Sequence, residues 1–219
     1  MSIFGQDSQY GNLERREMHS YIPGSAQVVL DVGCHTGYFG KSLKNERRCV
    51  VWGIEVNQES AEIARRHLDH VIIGYFSDEL IPNNAFDVIV FNDVLEHIAD
   101  PTLTLRLALT KLKKGGCIVA SLPNLRHIDN LEHIIFDKDF RYETNGIRDK
   151  THLRFYTKKS IPRLFESGGF DINVLEGINQ SWWSPSIARR LLFRLFPSFF
   201  FDTRFMQYAV VATPKNTSL

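Results

Sequence analysis

The sequence predicts an α/β fold: a doubly wound, mostly parallel sheet of seven strands, with a Rossmann-like arrangement and helices on both faces. Apolar runs of strand length alternate with helix-length segments along the chain. These runs are apolar throughout, as is typical of parallel strands buried on both faces. The first run also leads into a glycine-containing loop, "DVGCHTGYFG", that stands directly before a helix.

The elements follow in order. Strands are predicted at Val28–Val32, Cys49–Val56, Val71–Gly74, Phe86–Asn92, Gly115–Asn124, Phe170–Leu175 and Gln207–Thr213. Helices are predicted at Gly37–Asn45, Gln58–Leu68, Pro101–Leu112 and Ser160–Ser167. Leu103, Leu107 and Leu112 are expected on one face of the third helix. Gly168 and Gly169 are expected to end the fourth.

A length of 219 residues suits one well-packed domain spanning residues 1–219. Two stretches, residues 125–157 and 180–205, do not follow the simple alternation of strands and helices. They are predicted to be late insertions that form a substrate cap or an interface, since binding pockets are often built from such loops.

Charge and composition exclude several classes of function. The net charge of +1 provides no bulk field that would attract nucleic acid. The N-terminus lacks the apolar core of a signal peptide, and no run of about 18 apolar residues exists, so we expect a cytoplasmic protein. Cys34, Cys49 and Cys117 have no metal-binding spacing and are predicted to be reduced thiols.

The glycine loop does not match either common phosphate-binding pattern. A P-loop ending in Gly40-Lys41-Ser42 needs its first glycine at position 35, and the dinucleotide pattern needs its second glycine there; His35 occupies that position. The remaining pattern is Asp31, Gly33 and Gly37, followed by Glu55 at the end of the next strand. Glycines permit close approach of a ligand. An acid at the end of the second strand can bind ribose hydroxyls. We therefore expect a ribonucleoside ligand that carries positive charge.

Three stretches, "VLDVGCHTGYFG", "GIEVNQES" and "FDVIVFNDVLEHIADP", resemble the motifs of class I S-adenosylmethionine-dependent methyltransferases in order and spacing. The resemblance implies S-adenosylmethionine as cofactor and S-adenosylhomocysteine as product. It implies these contacts: Gly33 and Gly37 at the methionine part, Glu55 at the ribose, Val56 and Phe76 flanking the adenine, Ser77 or Asp78 at its amino edge, and Asn92 and Asp93 near the methionine amino group. Asp31 is expected to add a negative charge near the ligand, and the His35 side chain to point out over the ligand carboxylate. The sequence departs from the family at His35, which replaces a glycine, and at Tyr75, which replaces an acid.

The later stretches "SLPNLRH" and "DKTHLRFYTKKSIPRLFESGGF" resemble a bacterial methyltransferase subgroup that accompanies enzymes of sugar transfer and polysaccharide assembly. The resemblance implies O-methylation of a small-molecule, sugar or lipid-linked glycan acceptor. The alternatives are methylation of RNA or protein, and a non-catalytic S-adenosylmethionine-binding partner protein. A dehydrogenase is the remaining enzymatic alternative.

Methylation of a hydroxyl needs alignment of the acceptor and removal of one proton, and histidine suits that second task. His127 follows the fifth strand, and His152 alternates with Arg154 in a segment where both could share one face. We predict His127 or His152 as the base; the alternative is that His152 and Arg154 only orient the insertion. Arg126, Tyr142 and Arg154 are the candidate substrate-binding residues, with Asp149 as a further candidate for the pocket wall.

In "DVLEH", Asp93, Glu96 and His97 resemble a metal cluster that some quinone-modifying relatives use. The same letters occur in many metal-free relatives, where the histidine caps or packs the next helix. We therefore predict no metal.

The segment from Ser181 to Phe205 combines aromatic residues, arginines and helical apolar spacing. Its expected apolar face consists of Ile187, Leu191, Leu192, Leu195 and Phe196. Arg189, Arg190 and Arg194 add positive charge, and Asp202 is the single acid. This pattern is typical of an interfacial helix. The face is predicted to pack on the domain, on a second subunit in a homodimer, or on a membrane as a peripheral contact.

Overall fold

The computed structural model describes residues 13–181, 187, 191 and 194–215. Its strands are β1 (Val28–Val32), β2 (Val50–Glu55), β3 (His70–Ile73), β4 (Phe86–Asn92), β5 (Leu112–Pro123), β6 (Phe170–Gln180) and β7 (Phe205–Pro214). Its helices are α1 (Tyr38–Glu46), α2 (Gln58–Ala64), α3 (Pro101–Lys111), α4 (Ile128–Glu132) and α5 (Ser160–Ser167). Short helical turns cover Arg16–Tyr21, Leu95–His97, His133–Asp137, Pro197–Phe200 and Phe201–Arg204. Every predicted strand and helix is present.

The seven strands form one sheet in the order β3-β2-β1-β4-β5-β7-β6. Strands β1 to β5 pair in parallel, and β7 runs antiparallel between β5 and β6. The predicted doubly wound fold is confirmed. The strand order reverses between β1 and β4, so the loops that leave these two strands diverge and open a crevice at the carboxyl edge of the sheet.

The central strands are buried on both faces. Along β4, Ile89 and Phe91 join the cluster that packs beneath α3 and α5. Their neighbours Val88 and Val90 join the cluster on the opposite face, together with Phe39 from α1. Side chains alternate across a strand, so an uninterrupted apolar run supplies both cores at once.

Helix α3 begins with the expected capping chemistry, but the expectation that Leu103, Leu107 and Leu112 share one face was wrong. Asp100 caps α3 by accepting a hydrogen bond from the Leu103 backbone N–H (2.9 Å), with Pro101 at the first helical position. The side chain of Leu103 is 62% exposed, and Leu105 is fully buried instead. Leu107 is half-buried and Leu112 is buried, so the three leucines do not share one environment.

The first insertion has internal ion pairs, and polar contacts join its start to the second insertion. Arg148 is buried and pairs with Glu143 (2.7 Å) and Asp129 (3.4 Å). Asn124 donates to the carbonyls of Asp202 (2.8 Å) and Phe205 (2.9 Å), which joins the start of the first insertion to the end of the second. Among the described residues, no helix is long and apolar enough to cross a bilayer.

Candidate active site

The loop between β1 and α1 has a left-handed backbone at Gly33 (φ 70°), His35 (φ 48°) and Gly37 (φ 77°). A Cβ on Gly33 would lie 2.9 Å from a methyl carbon of Val94, and one on Gly37 would lie 3.1 Å from the Cα of Ala64. The two glycines therefore permit both the turn and the close packing. His35 adopts a conformation that costs a side-chain-bearing residue about 1 kcal/mol.

Glu55 stabilises this loop from the end of β2. Its side chain is buried, and its two carboxylate oxygens accept backbone N–H groups from His35 (2.9 Å) and Asn57 (2.8 Å). A carboxylate has about four acceptor sites, so these two bonds leave capacity for two further donors. Glu55 can therefore anchor the loop and bind ligand hydroxyls at the same time.

Several buried polar atoms around this loop have no hydrogen-bond partner among the described residues. They are Asp31 Oδ2, His35 Nδ1, and both Nδ2 and Oδ1 of Asn92. Burial and the nearby Glu55 charge raise the pKa of Asp31 to about 8, opposed in part by Arg15. Buried polar groups without partners are uncommon and costly. A polar ligand in this crevice would satisfy them.

Arg15 is a residue that the sequence reasoning missed. Its guanidinium binds the carboxylate of Asp93, the Ser121 hydroxyl (3.1 Å) and Glu17 (2.7 Å). Gln207 on β7 donates to both carboxylate oxygens of Asp93 at 2.6 Å. The Asp93 side chain is thus held from both ends of the described chain. No motif marks Arg15, because its contacts are made by residues distant in sequence.

Behind Asp93, Glu96, His97 and His152 form a compact cluster. The Glu96 carboxyl group is completely buried, without hydrogen-bond partners in the described structure, and lies 3.9 Å from Nε2 of His152. The two imidazole rings meet edge to face at 4.7 Å. This cluster was not predicted from the sequence because its residues are far apart along the chain. His152 comes from the first insertion, and Glu96 and His97 come from the turn after β4.

Both histidines have a defined tautomer. Nδ1 of His152 lies 3.0 Å from the carbonyl oxygen of Ile147, and Nδ1 of His97 lies 3.3 Å from that of Thr151. Carbonyl oxygens only accept, so each Nδ1 carries the proton and each Nε2 has the lone pair. Burial lowers the pKa of both histidines, so both are neutral near pH 7, and burial raises the pKa of Glu96 well above its usual value.

The sequence matches the family described as a methyltransferase domain over residues 13–175. The chain belongs to this methyltransferase family. A ubiquinone biosynthesis O-methyltransferase of Neisseria meningitidis serogroup C is 25% identical over 182 residues, which cover 77% of this chain and 75% of that protein.

Solved structures share the fold of this methyltransferase. A complex between the Haloferax volcanii Trm112 methyltransferase activator and a methyltransferase matches with a TM-score of 0.69, at 16% identity, covering 96% of this chain and 92% of that one. A SAM-dependent methyltransferase from Archaeoglobus fulgidus matches with a TM-score of 0.63, at 20% identity, covering 90% and 91%.

The protein is a class I methyltransferase whose cofactor is S-adenosylmethionine. The crevice fits this cofactor, which is a cation with ribose hydroxyls and an amino group. Two buried acids, Asp31 and Glu55, lie beside the glycine loop, and the Asn92 amide has both its donor and its acceptor unpaired in the described structure. Membership of the family also decides against the dehydrogenase alternative.

On the predicted adenine side of the methyltransferase, Val56, Phe76 and Ser77 are half-buried. The ring of Phe76 packs edge to face on Phe91 at 5.7 Å. Asp78 instead pairs with the buried ammonium of Lys111, which also donates to Asn83 (2.6 Å). Asp78 therefore stabilises the loop before β4 by compensating a buried charge.

The other predicted site residues of the methyltransferase make different contacts. His127 is buried, with its Nε2 3.1 Å from the Ser181 hydroxyl, and burial lowers its pKa. Arg126 binds Asp202 (2.7 Å), and Arg154 donates to the carbonyl of Ala99 (2.6 Å). The expectation that His152 and Arg154 share one face was wrong: His152 is buried and Arg154 is exposed.

Tyr142 is exposed on a depression in the first insertion, which has a largely polar lining. His133, Asp139 and Asn145 are among the residues that line it. Asp149 accepts hydrogen bonds from the backbone N–H and the hydroxyl of Thr151, and Thr151 in turn holds His97. Asp149 therefore orients the histidine cluster from outside.

Glu96, His97 and His152 also offer three ligand atoms within 4.8 Å of one another, a spacing that could hold a divalent cation after a small contraction. Two histidines and a carboxylate are common ligands of such ions. The absence of a metal therefore stays a prediction. A chelator distinguishes an enzyme that needs a metal ion at this cluster from one that does not.

Proposed function

We propose that the enzyme methylates a hydroxyl group of a small-molecule acceptor. The observation that carries this proposal is the cluster of Glu96, His97 and His152 directly behind Asp93, because it provides neutral imidazole groups beside the crevice. Methylation of a hydroxyl releases a proton, and a neutral histidine can accept it. The relative named for O-methylation in ubiquinone biosynthesis supports the same reaction class.

In this proposal the cofactor lies along the glycine loop. Glu55 accepts the ribose hydroxyls, while Val56 and Phe76 flank the adenine and Ser77 lies at its amino edge. The unpaired amide of Asn92 and the carboxylate of Asp93 bind the amino group of the methionine part. Asp31 and His35 line the same end of the crevice, where Asp31 favours a cationic ligand.

The bound cofactor supplies an activated methyl group on a positively charged sulfur. When the methyl group is transferred to the acceptor oxygen, the acceptor proton would pass to an imidazole Nε2. His152 is the base we favour over His127, because Nε2 of His127 already contacts Ser181. Glu96 lies 3.9 Å from Nε2 of His152, so the positive charge of the imidazolium would favour the ionised form of this buried acid.

For the acceptor we propose a sugar or a lipid-linked glycan. The first insertion combines an exposed aromatic ring, Tyr142, with a depression of charged and amide side chains, as sugar-binding surfaces do. The net charge of +1 favours such a neutral acceptor over RNA. In this proposal the two insertions form the cap over the acceptor on a single domain.

The test is incubation of the enzyme with isotopically labelled S-adenosylmethionine and separated soluble and lipid extracts, followed by mass spectrometry. An O-methyl ether that carries the label is the expected product. Label on nitrogen, on RNA or on protein would refute the proposal, and cofactor binding without turnover would identify a non-catalytic partner protein. Repeating the reaction with EDTA tests the metal: activity that survives chelation supports histidine alone.

A further inference from the structure

The second insertion presents apolar side chains to solvent. Ile187, Leu191 and Leu195 are helical, and Ile187 is 81% and Leu195 62% exposed. In the sequence these three apolar residues recur at intervals of four. The exposed rings of Phe196, Phe199 and Phe201 follow. We call these six residues the insertion surface. Exposed apolar patches of this kind mark interaction sites.

The insertion surface is anchored to the sheet at one end. Arg126, directly after β5, pairs with Asp202 (2.7 Å), and its guanidinium lies 5.4 Å from the centre of the Phe199 ring. Asn124 holds the carbonyls of Asp202 and Phe205. The surface is therefore fixed beside the carboxyl end of β5, at the edge where the crevice opens, while its apolar groups stay exposed.

The charge of this region is positive. Arg194 is exposed, and the Arg204 guanidinium lies 4.7 Å from the centre of the Phe201 ring. Asp202 is the one acid between residues 181 and 205, and Arg126 pairs with it. The sequence adds the charges of Arg189 and Arg190, which lie outside the described residues. A second copy of the chain would bring the same positive charges face to face, so this surface is poorly suited to self-association.

We propose that the insertion surface docks on an anionic lipid bilayer. Its arginines contact the phosphate headgroups, and its leucine, isoleucine and phenylalanine side chains enter the boundary between headgroups and acyl chains. Docking brings the open edge of the crevice to the membrane. The proposal goes beyond methyl transfer and does not depend on the acceptor, because vesicle binding is measured without turnover.

The test is flotation of the full chain with vesicles of phosphatidylcholine alone or mixed with phosphatidylglycerol. Binding is expected with the anionic vesicles at low salt, and it should fall at high salt and with phosphatidylcholine alone. Arg194→Gln should weaken binding about fivefold, which corresponds to the ~1 kcal/mol of one basic side chain. Leu195→Glu should weaken it by at least about tenfold.

Matched controls separate docking from general charge effects. Leu103→Glu changes a leucine on α3 that is as exposed as Leu195, at 62%, and Arg163→Gln removes an exposed arginine on α5. Both controls should bind like the unmodified protein. Absence of binding to anionic vesicles at low salt, or equal losses in the controls, would overturn the proposal. So would a dimer, seen by light scattering, that Leu195→Glu dissociates.

Discussion

Replacing Asp31 by asparagine should stabilise the cofactor-free protein at neutral pH and weaken cofactor binding. Asp31 is buried in β1, Oδ2 has no partner among the described residues, and burial together with Glu55 raises its pKa from 3.8 to about 8. For an acid with a raised pKa, the folded state keeps a proton that the unfolded chain releases. The contribution of Asp31 to stability is therefore greatest below pH 3.8 and falls as the pH rises toward 8.

The size of the effect follows from this difference. At pH 7 the unfolded chain has lost the proton and the folded protein mostly retains it, which lowers the free energy of unfolding on the order of 4 kcal/mol. Asparagine does not titrate, but its amide remains without a partner and costs about 1–3 kcal/mol. The Asp31→Asn variant should therefore be about 1–3 kcal/mol more stable at pH 7 and close to unchanged at pH 5.

The assay is urea unfolding without cofactor at both pH values, combined with calorimetric titration of S-adenosylmethionine. Affinity should fall about tenfold, because a bound cation favours ionisation of Asp31, and asparagine cannot ionise. Asp87→Asn is the control, and it should change the free energy of unfolding in the opposite direction. Asp87 accepts the backbone N–H groups of Gln27 (3.0 Å) and Val28 (2.7 Å) and pairs with Lys113, and these contacts hold its pKa below the usual value. That variant should be less stable at neutral pH.

A variant at position 31 that is equally destabilised at pH 5 and pH 7 would refute the reasoning. Such a result would mean that the Asp31 carboxylate is ionised and stabilised in the folded protein. Unchanged cofactor affinity would independently remove Asp31 from the site.

Four further predictions concern the site and its support. Glu55→Ala should weaken S-adenosylmethionine binding by about 1.5–3 kcal/mol, measured by calorimetry, and an unchanged affinity would remove Glu55 from the ribose site. His152→Gln should lower turnover about 10²-fold while cofactor affinity is kept, with a smaller loss for His127→Gln; full activity in both variants would assign the proton to another group. In the unmodified enzyme, turnover should rise with pH through a pKa below the usual ~6.5 of histidine, because burial lowers the pKa of His152. Gly53→Ala should destabilise the fold by about 1–3 kcal/mol in urea unfolding, since its Cβ would lie 2.5 Å from the Cys34 sulfur. Gly24→Ala, which meets nothing within 4 Å, should be neutral, and equal losses in both would contradict the packing argument.

The strands of the sheet could be predicted from the sequence because they are short apolar runs separated by clear turn signals. Strand β4 and helix α5 have the predicted boundaries. The face of α3 was not predictable from spacing, because its leucines lie on more than one side and the neighbours in space decide which side is buried. Leu105 packs within the core beneath the sheet, and Leu103 does not.

In the candidate site, sequence motifs identified only the residues that lie within one motif or in consecutive elements. The glycine loop follows β1, and Glu55 ends β2, the next strand in the sequence. These two strands pair in parallel, so the order of elements already places the loop and Glu55 together. Arg15 and Gln207 reach Asp93 from opposite parts of the chain, and His152 reaches Glu96 across the first insertion. Single-sequence patterns carry no information about such distant pairs.

The position of β7 between β5 and β6 affects the order in which the sheet can form during synthesis. Strand β6 leaves the ribosome before β7, yet it reaches the rest of the sheet only through β7. Until residues 205–214 emerge, β5 is an unprotected edge that other chains could extend. Gln207 arrives with the same strand and contacts Asp93. Pairing of β7 with β5 therefore covers the exposed edge of β5 and completes the contacts of Asp93 in the same late step. Protection of this edge from aggregation and completion of the candidate site are thus coupled.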